Sequence, residues 1–229
     1  MAPDDSLGAL GAAAAGYVED GMKVGLGTGR AAFAFVRALA VRVKSGLRVV
    51  GIPTSEATRD LASSLGISLA TLAEAPALDL AIDGADEVDP ALDLIKGLGG
   101  ALVREKIVAA ASRRFIVVVG AEKLVERLGV RTPVPVEIVP FGLAVCEARL
   151  KSLGSRPELR LKGSDPFISD NGNFILDSHF AGIDDPANLD TAIRAIPGVV
   201  GTGIFAGMAE RVLVQQGESV RVLQKKGER

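Results

Sequence analysis

Residues 78–106, LDLAIDGADEVDPALDLIKGLGGALVREK, place an apolar run, a group of acids, a glycine-rich turn and a predicted helix in direct succession. Residues 78–82 are a short apolar run after Pro76, which is the pattern of a buried strand in a parallel sheet. Asp83 then lies at the carboxyl end of that strand, where open α/β sheets bind their ligands. With a helix predicted over residues 101–112, this order indicates an α/β fold with a ligand site at Asp83.

The turn at residues 96–100, KGLGG, has no side chain at three of its five positions. Its backbone can therefore approach a ligand closely and direct N–H groups at negative charge. Lys96 adds a positive charge, and Asp83 and Asp86 precede it in the sequence. This combination predicts a proton-transfer site.

Glu105 lies inside the predicted helix, and its neighbours one turn away are apolar: Ala101, Leu102, Val108 and Ala109. None of these side chains can pair with a carboxylate. Such a carboxylate is either an exposed member of a charge cluster over residues 104–106 or a partly desolvated base. Desolvation would suit it to act as a base, because it raises a carboxyl pKa towards the working pH. Since Lys96 and two further carboxylates are close in sequence, we favour the base.

An alanine-rich helix is predicted around residues 7–19. A second succession of strand, glycine turn and helix follows at residues 22–40, with GLGTGRAA at 25–32. The first-turn N–H groups and the dipole of the helix favour a phosphate at such a turn. The predicted helix carries Phe33, Val36, Leu39 and Ala40 on one face. A ligand-free tight turn is the alternative.

Residues 27–32 match G-x-G-x-x-A, but a dinucleotide site also needs an acid at the end of the next strand. That strand, predicted over residues 47–52, ends in Pro-Thr-Ser. We therefore expect a small phosphorylated ligand and no nucleotide cofactor. A helix over residues 56–65, capped by Thr54 or Ser55, and a short strand near residues 67–70 should follow.

A further buried parallel strand is predicted over residues 115–119 and leads into GAEK. Lys123 is then expected at the same sheet edge as Thr28 and Asp83, where it could complete a phosphate site as a point charge. The alternative is an exposed first-turn lysine of the next helix.

The composition limits the classes of function. The 229 residues carry a net charge of −2 without a basic block, which disfavours nucleic acid and anionic membranes as partners. One cysteine, Cys146, and one histidine, His179, make a zinc site improbable, and both are expected in structural or surface roles. The single cysteine, the acidic start MAPDDSLGAL and the lack of a membrane-length apolar run predict a soluble cytoplasmic protein.

The second half of the chain has a different pattern, which begins at TPVP, residues 132–135, because neither proline is expected in a central strand. Its predicted elements are a strand over 136–139, a helix over 143–153, a hairpin that joins 167–169 to 173–176, a helix over 187–195 and a strand over 199–205. This βαββαβ order is ferredoxin-like.

We therefore predict two domains. The first is a Rossmann-like catalytic domain, an open and mostly parallel sheet with helices on both faces, formed by residues 1–130 and 206–229. Strands over 212–215 and 220–223 close its sheet. The second is a smaller ferredoxin-like domain, inserted as residues 131–205.

At these residues the chain resembles ribose-5-phosphate isomerases of the A type. The matching blocks are VGLGTG (24–29), TS (54–55), DGADE (83–87), KG and GG (96–100), REK (104–106), PVE (135–137), DNGN (170–173) and IPGVV (196–200). They follow one another over essentially the whole chain, which makes the match far more specific than a single glycine motif.

The resemblance implies an aldose–ketose isomerase that interconverts ribose 5-phosphate and ribulose 5-phosphate in the pentose phosphate pathway without a cofactor. It implies Glu105 as the proton acceptor. It implies sugar contacts from Asp83, Gly84, Ala85, Asp86, Lys96, Gly97, Leu98 and Gly99, and phosphate contacts from Thr28, Gly29, Arg30, Ala31 and Lys123. Arg30 and Ala31 stand where the family usually has serine and threonine, and Leu98 where it commonly has glycine.

The implied chemistry agrees with the residues. Glu105 suits removal of the C2 proton, and Lys96 with the backbone of residues 97–100 suits an enediolate. Asp83 or Asp86 would serve as the second acid, and the sequence does not divide their roles. Two other functions stay open: a Mg²⁺-dependent phosphatase or phosphotransferase and a non-catalytic sugar-phosphate sensor. The high apolar content and the inserted domain predict a homodimer or homotetramer.

Overall fold

The computed structural model describes residues 7–224, and the internal contacts divide the chain into two compact units. We call the first the parallel-sheet unit; its described residues are 7–84, 104–123 and 208–224. The second, the antiparallel-sheet unit, comprises residues 85–103 and 124–207. No helix among residues 7–224 combines the length and the apolar character needed to cross a lipid bilayer.

The helices and strands are numbered here in chain order. The helices are α1 (Gly8–Ala15), α2 (Arg30–Lys44), α3 (Glu56–Ser64), α4 (Leu102–Ala110), α5 (Leu143–Ser152) and α6 (Pro186–Arg194). The strands are β1 (Lys23–Leu26), β2 (Val50–Pro53), β3 (Leu80–Gly84), β4 (Glu87–Val88), β5 (Leu94–Ile95), β6 (Phe115–Gly120), β7 (Val134–Ile138), β8 (Arg156–Leu159), β9 (Leu161–Lys162), β10 (Asp165–Pro166), β11 (Phe174–His179), β12 (Val199–Thr202), β13 (Ile204–Phe205), β14 (Arg211–Gln216) and β15 (Ser219–Gln224).

The parallel-sheet unit is built on a six-stranded sheet in the order β15-β14-β6-β3-β1-β2. Neighbouring strands are parallel except β14 and β15, which form an antiparallel hairpin. The apolar strand β6, FIVVVG, is buried from Phe115 to Val119, as expected for a strand that is covered on both faces. This sheet confirms the predicted Rossmann-like α/β fold.

Alternating residues of β3 show which helices cover each face of this sheet. Ile82 packs in the apolar cluster that includes residues of α1 and α2. Ala81 faces the other way: a Cβ atom on Gly25 would lie 2.9 Å from Ala81 and 2.4 Å from Val108 of α4. Since side chains alternate across a strand, Asp83 lies on the α4 face.

Two local predictions in this unit are wrong. Residues 67–70 form only an isolated bridge between Gly51 and Leu69, because the chain turns at Thr71, whose N–H donates to the Glu74 carboxylate. The first helix ends at Ala15, before Gly16, rather than near residue 19, since glycine disfavours continuation of a helix.

The antiparallel-sheet unit contains a four-stranded antiparallel sheet in the order β12-β7-β11-β8, and helices α5 and α6 complete the βαββαβ order. This confirms the ferredoxin-like architecture. Cys146 of α5 is fully buried, and burial raises the pKa of its thiol. His179 lies at the surface, 3.6 Å from Glu158. Both residues therefore have the structural or surface positions that were expected.

The prediction that Pro135 lies outside a central strand is wrong, because Pro135 lies within β7, which has a neighbour on each side. The strand tolerates it because β12 pairs with β7 only as far as Val136, so no N–H is required from Pro135 on that side. The Pro135 carbonyl still accepts a hydrogen bond, from Gly203 N–H at 2.7 Å.

The predicted hairpin has the right turn and the wrong partner. Ser169 N–H donates to the Asn173 carbonyl across the turn, but β11 pairs with β8 and not with residues 167–169. The short β9–β10 hairpin explains the difference, because it returns Phe167 to the backbone of Arg160, directly after β8. The strand predicted over residues 199–205 is likewise divided into β12 and β13.

Candidate active site

The glycine turn of the parallel-sheet unit joins β1 to α2 and is packed against Asp83. A Cβ atom on Gly27 would lie 2.2 Å from Asp83 Oδ1 and 2.5 Å from its Cα, so only glycine fits there. Asp83 Oδ1 accepts hydrogen bonds from Thr28 N–H at 2.9 Å and from Gly84 N–H at 2.7 Å. Asp83 is 2% exposed. The buried carboxylate and the turn therefore hold each other in place.

Four hydroxyl groups surround the tip of this turn. Thr28 Oγ1 lies 2.7 Å from Thr54 Oγ1, 2.8 Å from Ser55 Oγ and 3.0 Å from Thr58 Oγ1. Thr58 is fully buried and donates to the Gly27 carbonyl at 2.9 Å. We call these residues, Thr28, Thr54, Ser55 and Thr58, the hydroxyl cluster.

Glu105 is buried, at 4% exposure, as its apolar neighbours predicted. It lines a narrow cleft, too tight in this structure to admit a water molecule, that Asp83 also lines. The other lining residues are Gly25, Gly27, Thr54, Ala81, Ile82, Val108 and Phe115. The interpretation as a solvated charge cluster is wrong for Glu105, because α4 turns this residue towards the sheet. Two carboxylates therefore share one cleft beside the glycine turn.

The predicted phosphate residues lie at the carboxyl edge of the same sheet. Thr28 follows β1, Asp83 is on β3, and Lys123 ends a 3₁₀ turn that follows β6. Since β1, β3 and β6 are adjacent and parallel, these positions share one edge. Gly29, with φ at 100°, precedes the first turn of α2, which contains Arg30 and Ala31. The N–H groups of that turn point to the same edge.

The glycine turn of the antiparallel-sheet unit follows the two-residue strand β5. Lys96 is 2% exposed, and its Nζ lies 5.4 Å from the centre of the Phe205 ring. Gly97 has φ at 98°, and its carbonyl accepts a hydrogen bond from Gly100 N–H at 2.9 Å. A buried ammonium group thus begins a tight turn.

Asp86 lies beside this second turn. Its Oδ2 accepts a hydrogen bond from Leu98 N–H at 3.0 Å, and its own N–H donates to the Ile95 carbonyl at 2.8 Å. Asp86 therefore contacts the backbone that surrounds Lys96.

A family model described as ribose 5-phosphate isomerase A (phosphoriboisomerase A) matches residues 50–219. The chain belongs to the ribose 5-phosphate isomerase A family. The ribose-5-phosphate isomerase A of Roseiflexus castenholzii is 57% identical over 201 residues, 86% of each chain. The solved ribose 5-phosphate isomerase A of Methanocaldococcus jannaschii is 41% identical with a TM-score of 0.93, over 98% of this chain and 100% of that one. A solved D-ribose-5-phosphate isomerase in complex with phospho-erythronic acid is 40% identical over the same shares, also with a TM-score of 0.93.

In this member of the family, the predicted site residues fall into two groups, one in each unit. The parallel-sheet unit contains Thr28, Gly29, Arg30, Ala31, Asp83, Gly84, Glu105 and Lys123, and the antiparallel-sheet unit contains Ala85, Asp86, Lys96, Gly97, Leu98 and Gly99. Within residues 7–224, no group of three or more histidine, cysteine, aspartate or glutamate side chains is arranged to hold a metal ion.

Sequence reasoning missed two supporting residues. Thr58 was not singled out; it lies three residues after the helix cap Ser55, and its N–H donates to the Ser55 hydroxyl. Arg160 had no signal at all: it is an arginine between two short strands. Its guanidinium contacts the backbone of the Lys96 turn.

Proposed function

We propose that this chain interconverts D-ribose 5-phosphate and D-ribulose 5-phosphate through an enediolate. The observation that carries the proposal is the buried Glu105, which shares a cleft with Asp83 beside a phosphate-type glycine turn. Family membership and the relative that binds phospho-erythronic acid support it. The reaction moves hydrogen within one molecule, so it requires no external oxidant or cofactor.

Glu105 is proposed as the base. It removes the proton from C2 of the open-chain aldose, and the C2–H electron pair forms the C1=C2 double bond of the enediolate. The proton then returns to C1, while the proton of O2 moves to O1 and leaves the ketone at C2. Asp83 or Asp86 is proposed to move that oxygen-bound proton and to open the sugar ring. Burial of Glu105 supports its role because a desolvated carboxylate is a stronger base.

The phosphate is proposed to bind Thr28, Gly29, Arg30, Ala31 and Lys123. The N–H groups at the start of α2 supply donors that do not depend on side-chain identity. Arg30 and Lys123 add positive charge where the usual serine and threonine hydroxyls are absent. Positive charge in place of neutral hydroxyl groups favours a phosphorylated sugar over a neutral one.

Lys96 is proposed to stabilise the negative charge of the enediolate, together with the N–H groups of Gly97 and Gly99. Ala85 and Asp86, with Asp83 and Gly84, are proposed to contact the sugar. The buried ammonium group supports this role, because a charge kept from bulk water acts more strongly on a nearby anion.

The test is a coupled assay with ribose 5-phosphate, ribose and arabinose 5-phosphate, applied to the parent and to Glu105→Gln. We expect turnover of ribose 5-phosphate by the parent, with kcat reduced about 10²–10⁴-fold in Glu105→Gln. Glu218→Gln, at an exposed position of the same unit, is the matched control and should keep parental kinetics.

Each rival function gives a different result in that assay. Equal turnover by Glu105→Gln and the parent would remove Glu105 from the chemistry, and binding without turnover by the parent would favour a sensor. Loss of parental activity in EDTA would favour the metal-dependent phosphatase or phosphotransferase.

We further propose a cytoplasmic homodimer or homotetramer, with residues 131–205 as an inserted domain. Exposed apolar side chains of the antiparallel-sheet unit support association: Phe141 is 100% exposed and Val145 is 55% exposed. The four-stranded sheet supports the domain, because all four strands fall within residues 131–205. Sedimentation analysis measures the oligomeric state directly.

A further inference from the structure

We propose that Arg160 is a positioning residue for the isomerisation, which acts by fixing two peptide groups of the Lys96 turn. This inference rests on the proposed function, since it explains how the Gly99 N–H of the turn is oriented as a donor to the enediolate. Arg160 is not part of any motif that the sequence indicated. It lies between β8 and β9. Arg160 and all the residues that it contacts here belong to the antiparallel-sheet unit.

The guanidinium group of Arg160 is itself held in one orientation. Its Nε donates to Asp177 Oδ2 at 2.8 Å, and its Nη2 donates to Asp177 Oδ1. The guanidinium carbon lies 5.8 Å from the centre of the Phe167 ring. The two side chains of the ion pair are only 12% and 19% exposed. A paired fork of this kind fixes both position and plane.

The remaining nitrogen of the fork contacts the turn. Arg160 Nη1 donates to the Gly97 carbonyl at 3.1 Å and to the Leu98 carbonyl at 3.0 Å. In a trans peptide the C=O and N–H groups point in opposite directions. The peptide between Gly97 and Leu98 is therefore held from both sides, because its N–H donates to Asp86.

The C=O and N–H groups of the next peptide, between Leu98 and Gly99, also point in opposite directions. Because the Leu98 carbonyl points at Arg160, the N–H of Gly99 points away from Arg160, and Gly99 is exposed. An N–H fixed in this way is a preorganised donor for a developing oxyanion, provided that the peptide cannot rotate. Gly97 and Gly99 have no side chain to resist rotation, so Arg160 supplies the constraint.

The experiment compares Arg160→Ala, Arg160→Lys and Asp177→Asn with the parent in the ribose 5-phosphate assay. We expect kcat of Arg160→Ala to fall about 10²-fold, with a much smaller change in KM, since the lost geometry matters most in the transition state. Arg160→Lys should be nearly as slow, because an ammonium group cannot contact Asp177 and both carbonyls at once. Asp177→Asn should show a smaller loss of kcat.

Chemical rescue separates positioning from a general structural role. Guanidinium chloride, well below denaturing concentration, should raise kcat of Arg160→Ala and leave the parent and Arg160→Lys unchanged. Arg156→Ala is the matched control: this arginine lies on β8 in an exposed pair with Glu158 and should keep parental kinetics without rescue.

Several outcomes would overturn the proposal. They are parental kcat in a folded Arg160→Ala, an increase in KM alone, or a slow variant without rescue. If Arg160→Ala does not fold, parental kcat in both Arg160→Lys and Asp177→Asn would overturn the proposal. Absence of turnover in the parent would instead contradict the proposed function, so the two failures are distinguishable.

Discussion

Both units of the molecule present a glycine-rich turn, but they fix it by different interactions. The turn after β1 is fixed by close backbone packing against Asp83, by the hydrogen bond from Thr28 N–H to the Asp83 carboxylate, and by the neutral hydroxyl cluster. The turn after β5 is fixed by charged groups, Asp86 on one side and Arg160 with Asp177 on the other. The difference follows from the strands: β1 is a central strand of a six-stranded sheet, whereas β5 has only two residues. A turn without a rigid strand behind it needs side chains to orient its peptides.

The largest effect on the free energy of unfolding is expected in the turn after β1, which is fixed by backbone packing. Gly27→Ala would place a methyl group against the Cα of Asp83, so we expect a loss of about 3 kcal/mol in the free energy of unfolding. Gly100→Ala, in the other turn, meets only the movable Phe167 ring, and its φ of 87° costs about 1–2 kcal/mol. Urea unfolding of both variants measures the difference. A larger loss for Gly100→Ala would contradict the comparison.

An intermediate effect is expected for the hydroxyl cluster. Thr58→Val removes the donor to the Gly27 carbonyl, and a buried group left unsatisfied costs about 1–3 kcal/mol. Thr58→Ser keeps the hydroxyl and is the matched control. Because the cluster is neutral, the loss should be the same at low and high salt. A salt-dependent loss would show that charge, and not hydroxyl geometry, fixes this turn.

The smallest effect is expected from a charged pair at the opposite edge of the parallel sheet. Arg114 and Glu210 precede β6 and β14, and the hydrogen bond from Arg114 lowers the pKa of the Glu210 carboxyl. A lowered carboxyl pKa stabilises the fold at neutral pH, and this contribution is lost as the pH falls below the group's ordinary range. Both side chains are partly exposed, so Glu210→Gln should cost about 0.2–1 kcal/mol at pH 7.

Urea unfolding of the parent and Glu210→Gln, at pH 7 and again at a pH below the ordinary pKa range of a glutamate carboxyl, measures this contribution. The difference in the free energy of unfolding between the two proteins should shrink in acid. The two proteins should have the same kcat at pH 7. A difference that grows in acid, or a change in kcat, would show that this pair also influences the site.

Much of the fold was predictable because it depends on local patterns. Apolar runs such as residues 115–119 need a covered sheet, and the turn around Asn171 and Gly172 has strong local preferences. Burial of Glu105 was also predictable, since its apolar neighbours one turn away require that face of α4 to lie inside.

The rest depends on contacts between residues far apart in sequence. The partner of β11 could not be read from the turn, because the β9–β10 hairpin displaces residues 167–169 from the sheet. Pro135 fits a central strand only because β12 stops short of it. Arg160 gains its importance from Asp177 and the Lys96 turn, and no pattern in its own neighbourhood indicates either contact.

The pairing of β6 with β14 has a consequence for synthesis on the ribosome. Ninety residues, 121–210, separate these adjacent strands, so one edge of FIVVVG has no neighbour until they have been translated. At about 5–20 residues per second this interval lasts roughly 5–20 s. An apolar strand edge left open for seconds is a site of aggregation, and it gives a chaperone that binds nascent chains a defined segment to shield.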